Sequence, residues 1–291
     1  MKVFGWLAGG ILLFASCSAD KSLYKVADYT PEKQFTNGIE GPACDPEGNL
    51  YAVNFEKQGT IGRVTPEGVA DLFVELPQGA VGNGIRFYNK NEMFVADYMT
   101  HRIFSINTDT RLVSEFAHEE SLSQPNDIAL SKRGFLYASD PNWKKSIGRI
   151  WKIDPKGRFT LIEPRMGTVN GIEVSPDEKL LYVNETIQRK IWVFDIDEYG
   201  NTRNKRLFYE FTDYGLDGMR CDAKGNLYVA RRDKGTVVML SPKGQMLREI
   251  YLKGKMPTNV TFGGKNRKTL FVTLADRGCI EKFLVKYPGR E

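Results

Sequence analysis

A strand that opens on an apolar and an aromatic residue returns six times along the 291 residues, and it constrains the fold more than any other feature. Its versions are Leu50-Tyr51-Ala52-Val53, Met93-Phe94-Val95-Ala96, Leu136-Tyr137-Ala138-Ser139, Leu181-Tyr182-Val183-Asn184, Leu227-Tyr228-Val229-Ala230 and Leu270-Phe271-Val272-Thr273. Their aromatic residues are separated by 43, 43, 45, 46 and 43 positions. Each version follows a turn cluster such as Asp45-Pro46-Glu47-Gly48, Ser131-Lys132-Arg133-Gly134 or Asp222-Ala223-Lys224-Gly225, and most units carry a second one, such as Thr65-Pro66-Glu67-Gly68. Turn residues between β-rich runs mark hairpins. Each unit therefore reads strand–turn–strand–loop–strand–turn–strand. Six such units predict an all-β chain folded as a six-bladed β-propeller, with four antiparallel strands per blade. The last unit, from Asn259 onward, has room for only three strands. The segment Ser22 to Ala27 is expected to supply the fourth, closing the ring in blade 6 and capping an open edge.

The repeats leave the start of the chain unused. Met1-Lys2 precedes an apolar run from Val3 to Phe14 and then Ala15-Ser16-Cys17. A short basic start, a brief apolar stretch and small residues before the break predict a signal peptide over residues 1–16. The run is shorter than the roughly 20 residues that span a bilayer. Phe14-Ala15-Ser16-Cys17 resembles a bacterial lipobox, with Cys17 as the lipidated first mature residue and 17–291 as one propeller domain. The expected location is the periplasm or cell envelope, by a lipid anchor rather than a spanning helix. Replacing Cys17 with Ser is expected to release the protein from membranes; a variant that still sediments with them would exclude lipidation.

Composition narrows the functions. With 41% hydrophobic and 26% charged residues, the chain is an ordinary globular one rather than a disordered one. The 41 basic and 36 acidic residues are interspersed without a basic block, which gives nucleic-acid binding no support. The expected partner is a small molecule, and the protein is expected to act as a monomer. Cys44, Cys221 and Cys279 have no zinc-site spacing and read as small buried apolar residues.

One repeat position carries chemistry. Eleven or twelve residues before each aromatic anchor stand Glu40, Asn83, Asn126, Asn170, Asp217 and Asn259. The two twelve-residue spacings, at Asn170 and Asn259, are attributed to a turn one residue longer. In a propeller this position lies where the innermost strand enters the central channel, so six oxygen-bearing side chains converge at one level. Burying them together is costly unless something satisfies them. A divalent cation does so: calcium takes 6–8 oxygen ligands, and Glu40 and Asp217 supply two negative charges. Calcium is therefore the first expectation, with Zn2+, Mn2+ or Mg2+ as alternatives. Asn before Gly also shapes turns, so Asn83 and Asn259 have a structural reading beside a substrate-binding one. Turn chemistry explains neither Glu40 nor the presence of two carboxylates.

Glu40-Gly41-Pro42, Asn170-Gly171-Ile172 with Ser175-Pro176-Asp177, Asp217-Gly218-Met219 with Gly225-Asn226-Leu227-Tyr228, and Pro257-Thr258-Asn259-Val260-Thr261-Phe262-Gly263-Gly264 together resemble the signatures of the regucalcin/gluconolactonase (senescence marker protein) family. The resemblance spans essentially the whole mature chain. It implies a six-bladed propeller, a single divalent metal in the channel and lactone hydrolysis as the commonest activity. It further implies Glu40, Asn170 and Asp217 as metal ligands, with Asn126 as a fourth ligand or a substrate contact. Members resembling regucalcin carry an arginine two residues before the position of Asn126. This chain has Gln124 there, so the resemblance leaves the substrate open.

The expected reaction is attack of water on a lactone carbonyl polarised by the metal, with Asp217 as the catalytic base or water-positioning group. A Ser-His-Asp mechanism is poorly supplied, because the only histidines are His101 and His118 and neither lies in a nucleophile motif. His101 falls in the loop between the second and third strands of blade 2, where it either contacts substrate or is simply solvated. The same loops carry Trp143, Lys144, Lys145, Arg189, Lys190, Arg231, Arg232 and Arg277, a rim suited to an anionic substrate if it is more than ordinary charged surface. Two alternatives stay open: a phosphotriester hydrolase using the same metal, and a non-catalytic binding propeller.

Overall fold

Six four-stranded antiparallel sheets account for nearly all the regular structure of the computed structural model, which describes residues 22–290. The predicted leader and Cys17 lie outside the described residues. Blade 1 comprises Phe35–Cys44, Leu50–Phe55, Thr60–Val64 and Ala70–Glu75, hydrogen-bonded in sequence order, and blades 2 to 5 repeat the pattern. Blade 6 takes three strands from Pro257–Gly263, Thr269–Leu274 and Cys279–Leu284. Its fourth is only two residues long: Ala27–Asp28 pairs antiparallel with Cys279–Leu284, through Ala27 opposite Lys282 and Asp28 opposite Glu281. Upstream, Leu23 makes an isolated parallel bridge to Leu284. The chain between is not an antiparallel strand, because Tyr24 has a left-handed φ of 62° and reverses the local direction.

The recurring motif is the second strand of every blade. In blade 1 it is buried along its whole length, Leu50 to Phe55. Continuous burial follows from stacking, since each sheet is covered on both faces by neighbouring blades and one-sided alternation is unnecessary. The core accordingly divides into six clusters, one at each junction between blades. Tyr51, Val53 and Phe73 of blade 1 pack on Ile85, Met93 and Phe104 of blade 2, and Leu50, Ala52 and Val64 meet Phe271 and Ile280 of blade 6 on the other face. At about 25 cal/mol per Å² of apolar surface, each large anchor side chain contributes roughly 1.5–3 kcal/mol. Outer strands such as Thr202–Glu210 are largely exposed and carry the charge.

The turns work as their residues suggest. Asp45 Oδ1 accepts the Asn49 amide at 2.8 Å, and Asp222 Oδ1 accepts those of Lys224 and Asn226 at 2.8 and 3.0 Å. Cys44, Cys221 and Cys279 are free thiols; Cys221 and Cys279 are buried and Cys44 is partly exposed. The C-terminal residues cross the far end of the channel. Ala223 N donates to Pro288 O at 2.8 Å and Arg290 N to Cys221 O at 3.1 Å, which ties the tail to blade 5.

Candidate active site at the entrance of the channel

In blades 1 to 4 an acidic residue or amide three positions after the aromatic anchor holds the loop that leads into the innermost strand of its own blade. Asp140 Oδ1 accepts the backbone amides of Ser123 and Gln124, both at 2.7 Å, and so fixes the approach to Asn126. Asp97 Oδ1 does the same for Val81 N at 2.8 Å, ahead of Asn83. Entry into the channel then requires close backbone contact. Gly41 has φ +56°, and a Cβ there would stand 1.8 Å from the Asn83 carbonyl oxygen. No other residue suits the step that follows Glu40. Asn184 locks the neighbouring level, donating from Nδ2 to Asp217 O at 2.5 Å and accepting from Gly171 N at 3.2 Å.

These devices bring Glu40 and Asp217 face to face. Both are buried, and their carboxyl groups are near enough for each to act on the ionisation of the other. Glu40 Oε2 also accepts from Gly41 N at 2.7 Å and from Asn259 Nδ2 at 3.0 Å. Asp217 is approached by Asn170 and by Arg232, whose Nη1 donates to Asp217 Oδ2 at 3.4 Å. Asn170 Nδ2 donates to Thr186 Oγ1 at 3.2 Å. Its Oδ1 and that of Asn126 are buried with no hydrogen-bond partner among the described residues. Native interiors rarely leave such acceptors unpaired, and buried amide oxygens of this kind, one of them on the Asn170 that approaches Asp217, suit a cation. Among the described residues no three His, Cys, Asp or Glu side chains form a metal cage. The donors are two carboxylates and amide oxygens, a set that suits a hard ion and not one preferring nitrogen or sulfur.

Burial pushes the Asp217 carboxyl well above the usual carboxylate range, and the Glu40 charge adds to it. Burial likewise raises Glu40, reinforced by the charge of Asp127. Both groups thus ionise more readily in the unfolded chain, whose carboxyls titrate at about 4. The resulting penalty is absent below that pH and grows as pH rises through the raised folded values. The melting temperature in excess calcium minus that in chelator is therefore expected to widen from pH 5 to pH 8. A difference that stays constant with pH would contradict the pairing.

The structure adds detail at three of these positions. Asn259 does not share the level of the other five. Thr258 O accepts from Gly218 N as Asn126 O accepts from Gly84 N, so Thr258 stands at the level of Asn126, and Asn259 at that of Asp127. The turn of blade 6 leaves seven residues between paired Phe262 and Leu270, against five between Cys44 and Leu50 in blade 1. Asn259 is thereby carried one residue deeper, where its Nδ2 is committed to Glu40. The single extra turn residue expected here does hold for blade 4, where six residues separate Val174 and Leu181. Second, Asn83 spends its Nδ2 on Asn126 O at 3.1 Å, a bond between blades. Third, His101 has a left-handed φ of 60°, and its imidazole has no hydrogen-bond partner among the described residues, although its carbonyl accepts from Glu119 N at 3.3 Å. In the rim, Arg231 is not a surface group: it is 1% exposed, 3.7 Å above the Phe211 ring and paired with Asp213 at 2.7 Å.

A second layer lies beneath the first. Asp127 is fully buried; Arg86 Nη1 approaches one of its oxygens at 3.1 Å and Arg220 Nη1 the other at 3.3 Å. Burial alone would raise Asp127, but the two guanidiniums outweigh it and hold its carboxyl below the usual range. The signal for this layer was present in the repeat. Asp127 stands where blades 1, 2, 4 and 5 have Gly41, Gly84, Gly171 and Gly218. The residues paired with the aromatic anchors of blades 1 to 5 are Ala43, Arg86, Ala129, Glu173 and Arg220. Three charges at one repeat position are as unusual as the ring above them.

Residues 39–276 match the model of the SMP-30/Gluconolactonase/LRE-like region. The chain belongs to that family. It is 27% identical over 270 residues to a gluconolactonase of Zymomonas mobilis, covering 80% of this chain and 75% of that protein. It is 28% identical over 243 residues to a pentonolactonase of Haloferax volcanii, covering 81% of each. The crystal structure of a calcium-binding protein, regucalcin, from Agrobacterium tumefaciens superposes with a TM-score of 0.77 over 92% of this chain and 96% of that one. At 21% identity that likeness speaks for the fold alone.

Proposed function

We propose that this member of the SMP-30/gluconolactonase family hydrolyses a sugar-type lactone, with Glu40, Asn170, Asp217 and Asn126 holding a divalent cation, calcium in the first place. One observation carries the reading: two buried carboxyl groups that act on each other's ionisation in the channel, with the Asn170 and Asn126 amide oxygens buried and without a partner among the described residues. Lactonase relatives that cover three quarters or more of each chain support the substrate class.

A bound dication supplies Lewis-acid polarisation of the lactone carbonyl and stabilises the oxyanion that develops there. The protein side chains do the rest. The Asp217 carboxylate orients the attacking water and takes its proton as the water oxygen bonds to the carbonyl carbon. When the ring C–O bond breaks, the same carboxyl returns that proton to the leaving alkoxide, so lactone and water become the open hydroxy acid. Arg232, at 3.4 Å, opposes the rise that burial and Glu40 impose on the Asp217 carboxyl and helps to orient it. Asn259 holds Glu40 in place, and Asn184 and Thr186 fix the backbone of Leu216 and Asp217. We further propose that the reaction takes place in the cell envelope, with the chain anchored through Cys17.

Steady-state assays on a panel of aldonolactones, with and without chelator and beside a phosphotriester, test the reading. Chelator-sensitive opening of at least one lactone supports it. Phosphotriester turnover without lactonase activity would assign the same residues a different reaction. A protein inert on both would be a binding module.

A further inference from the structure

A second cavity lies away from the carboxylate pair. About 640 Å3 in volume, it opens at the opposite mouth of the channel, where Arg86, Arg220, Arg267 and Arg290 reach it from three blade positions and the tail. A volume of that size holds a metabolite rather than a polymer. Lys132 also lines it, and an adjoining 400 Å3 cavity shares Lys132, Arg267 and Arg290.

The acids nearby are already committed. Glu173 pairs with Arg290 Nε and lies 3.8 Å from both Arg86 Nη2 and Arg220 Nε, beyond hydrogen-bond reach. Asp127 is divided between Arg86 and Arg220. Asp45 takes its bonds from Asn49 and Tyr51. Glu178 accepts from the Lys132 amide and lies 3.7 Å from Arg290 Nη1, and Arg267 Nη2 donates to Arg290 O, but among the described residues neither the Arg267 guanidinium nor the Lys132 ammonium has a carboxylate partner. Arg220 is 7% exposed, and its Nη2 has no acceptor among the described residues. A buried guanidinium nitrogen without an acceptor is costly, and its natural complement is an oxyanion that accepts from the planar fork. Burial, and then the charge of Arg220, lower the Arg86 guanidinium to about 10.

We propose that the rear mouth of the channel is a binding site for a small multivalent oxyanion, of phosphate or polycarboxylate chemistry, taken by Arg220 with Arg267 and Lys132 at the rim. The site is independent of the lactonase reading, since none of these residues belongs to the carboxylate pair.

Isothermal titration of inorganic phosphate, and separately of citrate, tests it at ionic strength matched with chloride. The protein is freed of metal on a chelating resin, so that no soluble chelator competes. One saturable site for either anion is expected, and the tighter of the two identifies the chemistry. The exposed-rim variant Lys132→Gln/Arg267→Gln, which disturbs no buried pair, is expected to bind at least about tenfold more weakly. Arg220→Gln is expected to abolish binding, with its circular dichroism compared to confirm folding; Arg232→Gln at the other mouth leaves it unchanged. Absence of saturable binding beyond chloride, or binding that survives the rim double substitution, would overturn the proposal.

Discussion

Asp217→Asn is expected to reduce kcat/KM for the best lactone by about 10³-fold while leaving the propeller folded, a loss typical of removing a positioned acid–base group. Asparagine fills the same space, and the backbone carbonyl of residue 217 keeps its bond from Asn184 Nδ2. What disappears is one of the two charges at the channel entrance and the group that moves the proton. Stability should move in the opposite direction from activity. In chelator, the substitution removes the carboxylate that burial and Glu40 disfavour, so the variant should melt higher than the parent. Steady-state kinetics and paired melting curves check both halves. Full activity in Asp217→Asn would remove the basis for hydrolysis at this site.

Glu40→Gln is expected to erase the stabilisation by calcium. A ligand that binds only the folded ring contributes about 2.7 kcal/mol at a hundredfold excess over Kd. For a domain of this size that is a rise of roughly 5–10 °C in Tm. Glutamine retains an oxygen for the Asn259 Nδ2 bond but brings no charge, so the fold persists and the affinity does not. Parent and variant melting curves with and without calcium decide it. An equal calcium shift in both would place the ion elsewhere, and no shift in either would remove the cation from the proposal.

The two predictions rest on residues that differ in how they could be found. Glu40 and Asp217 are visible in the chain because every blade is a local meander. Strands joined by short turns pair with their neighbours in sequence, so a position counted from the aromatic anchor maps onto a fixed level of the channel. Asn259 shows where counting fails. A twelve-residue spacing arises from a longer turn in blade 4 and from a longer turn plus a shifted register in blade 6, and the spacing alone does not distinguish them.

The repeat period, the turns between strands and the placing of acids and amides near the start of the innermost strands were therefore written into the chain, since each depends on contacts within one blade. Contacts across the channel depend on closing the ring. Glu40 meets Asn259 across 219 residues, Arg220 meets Asp127 across 93, and Arg290 reaches Glu173 across 117. No local pattern encodes such distances. Only the closed circle of blades brings one pair of carboxylates together at one mouth and gathers a surplus of guanidiniums at the other.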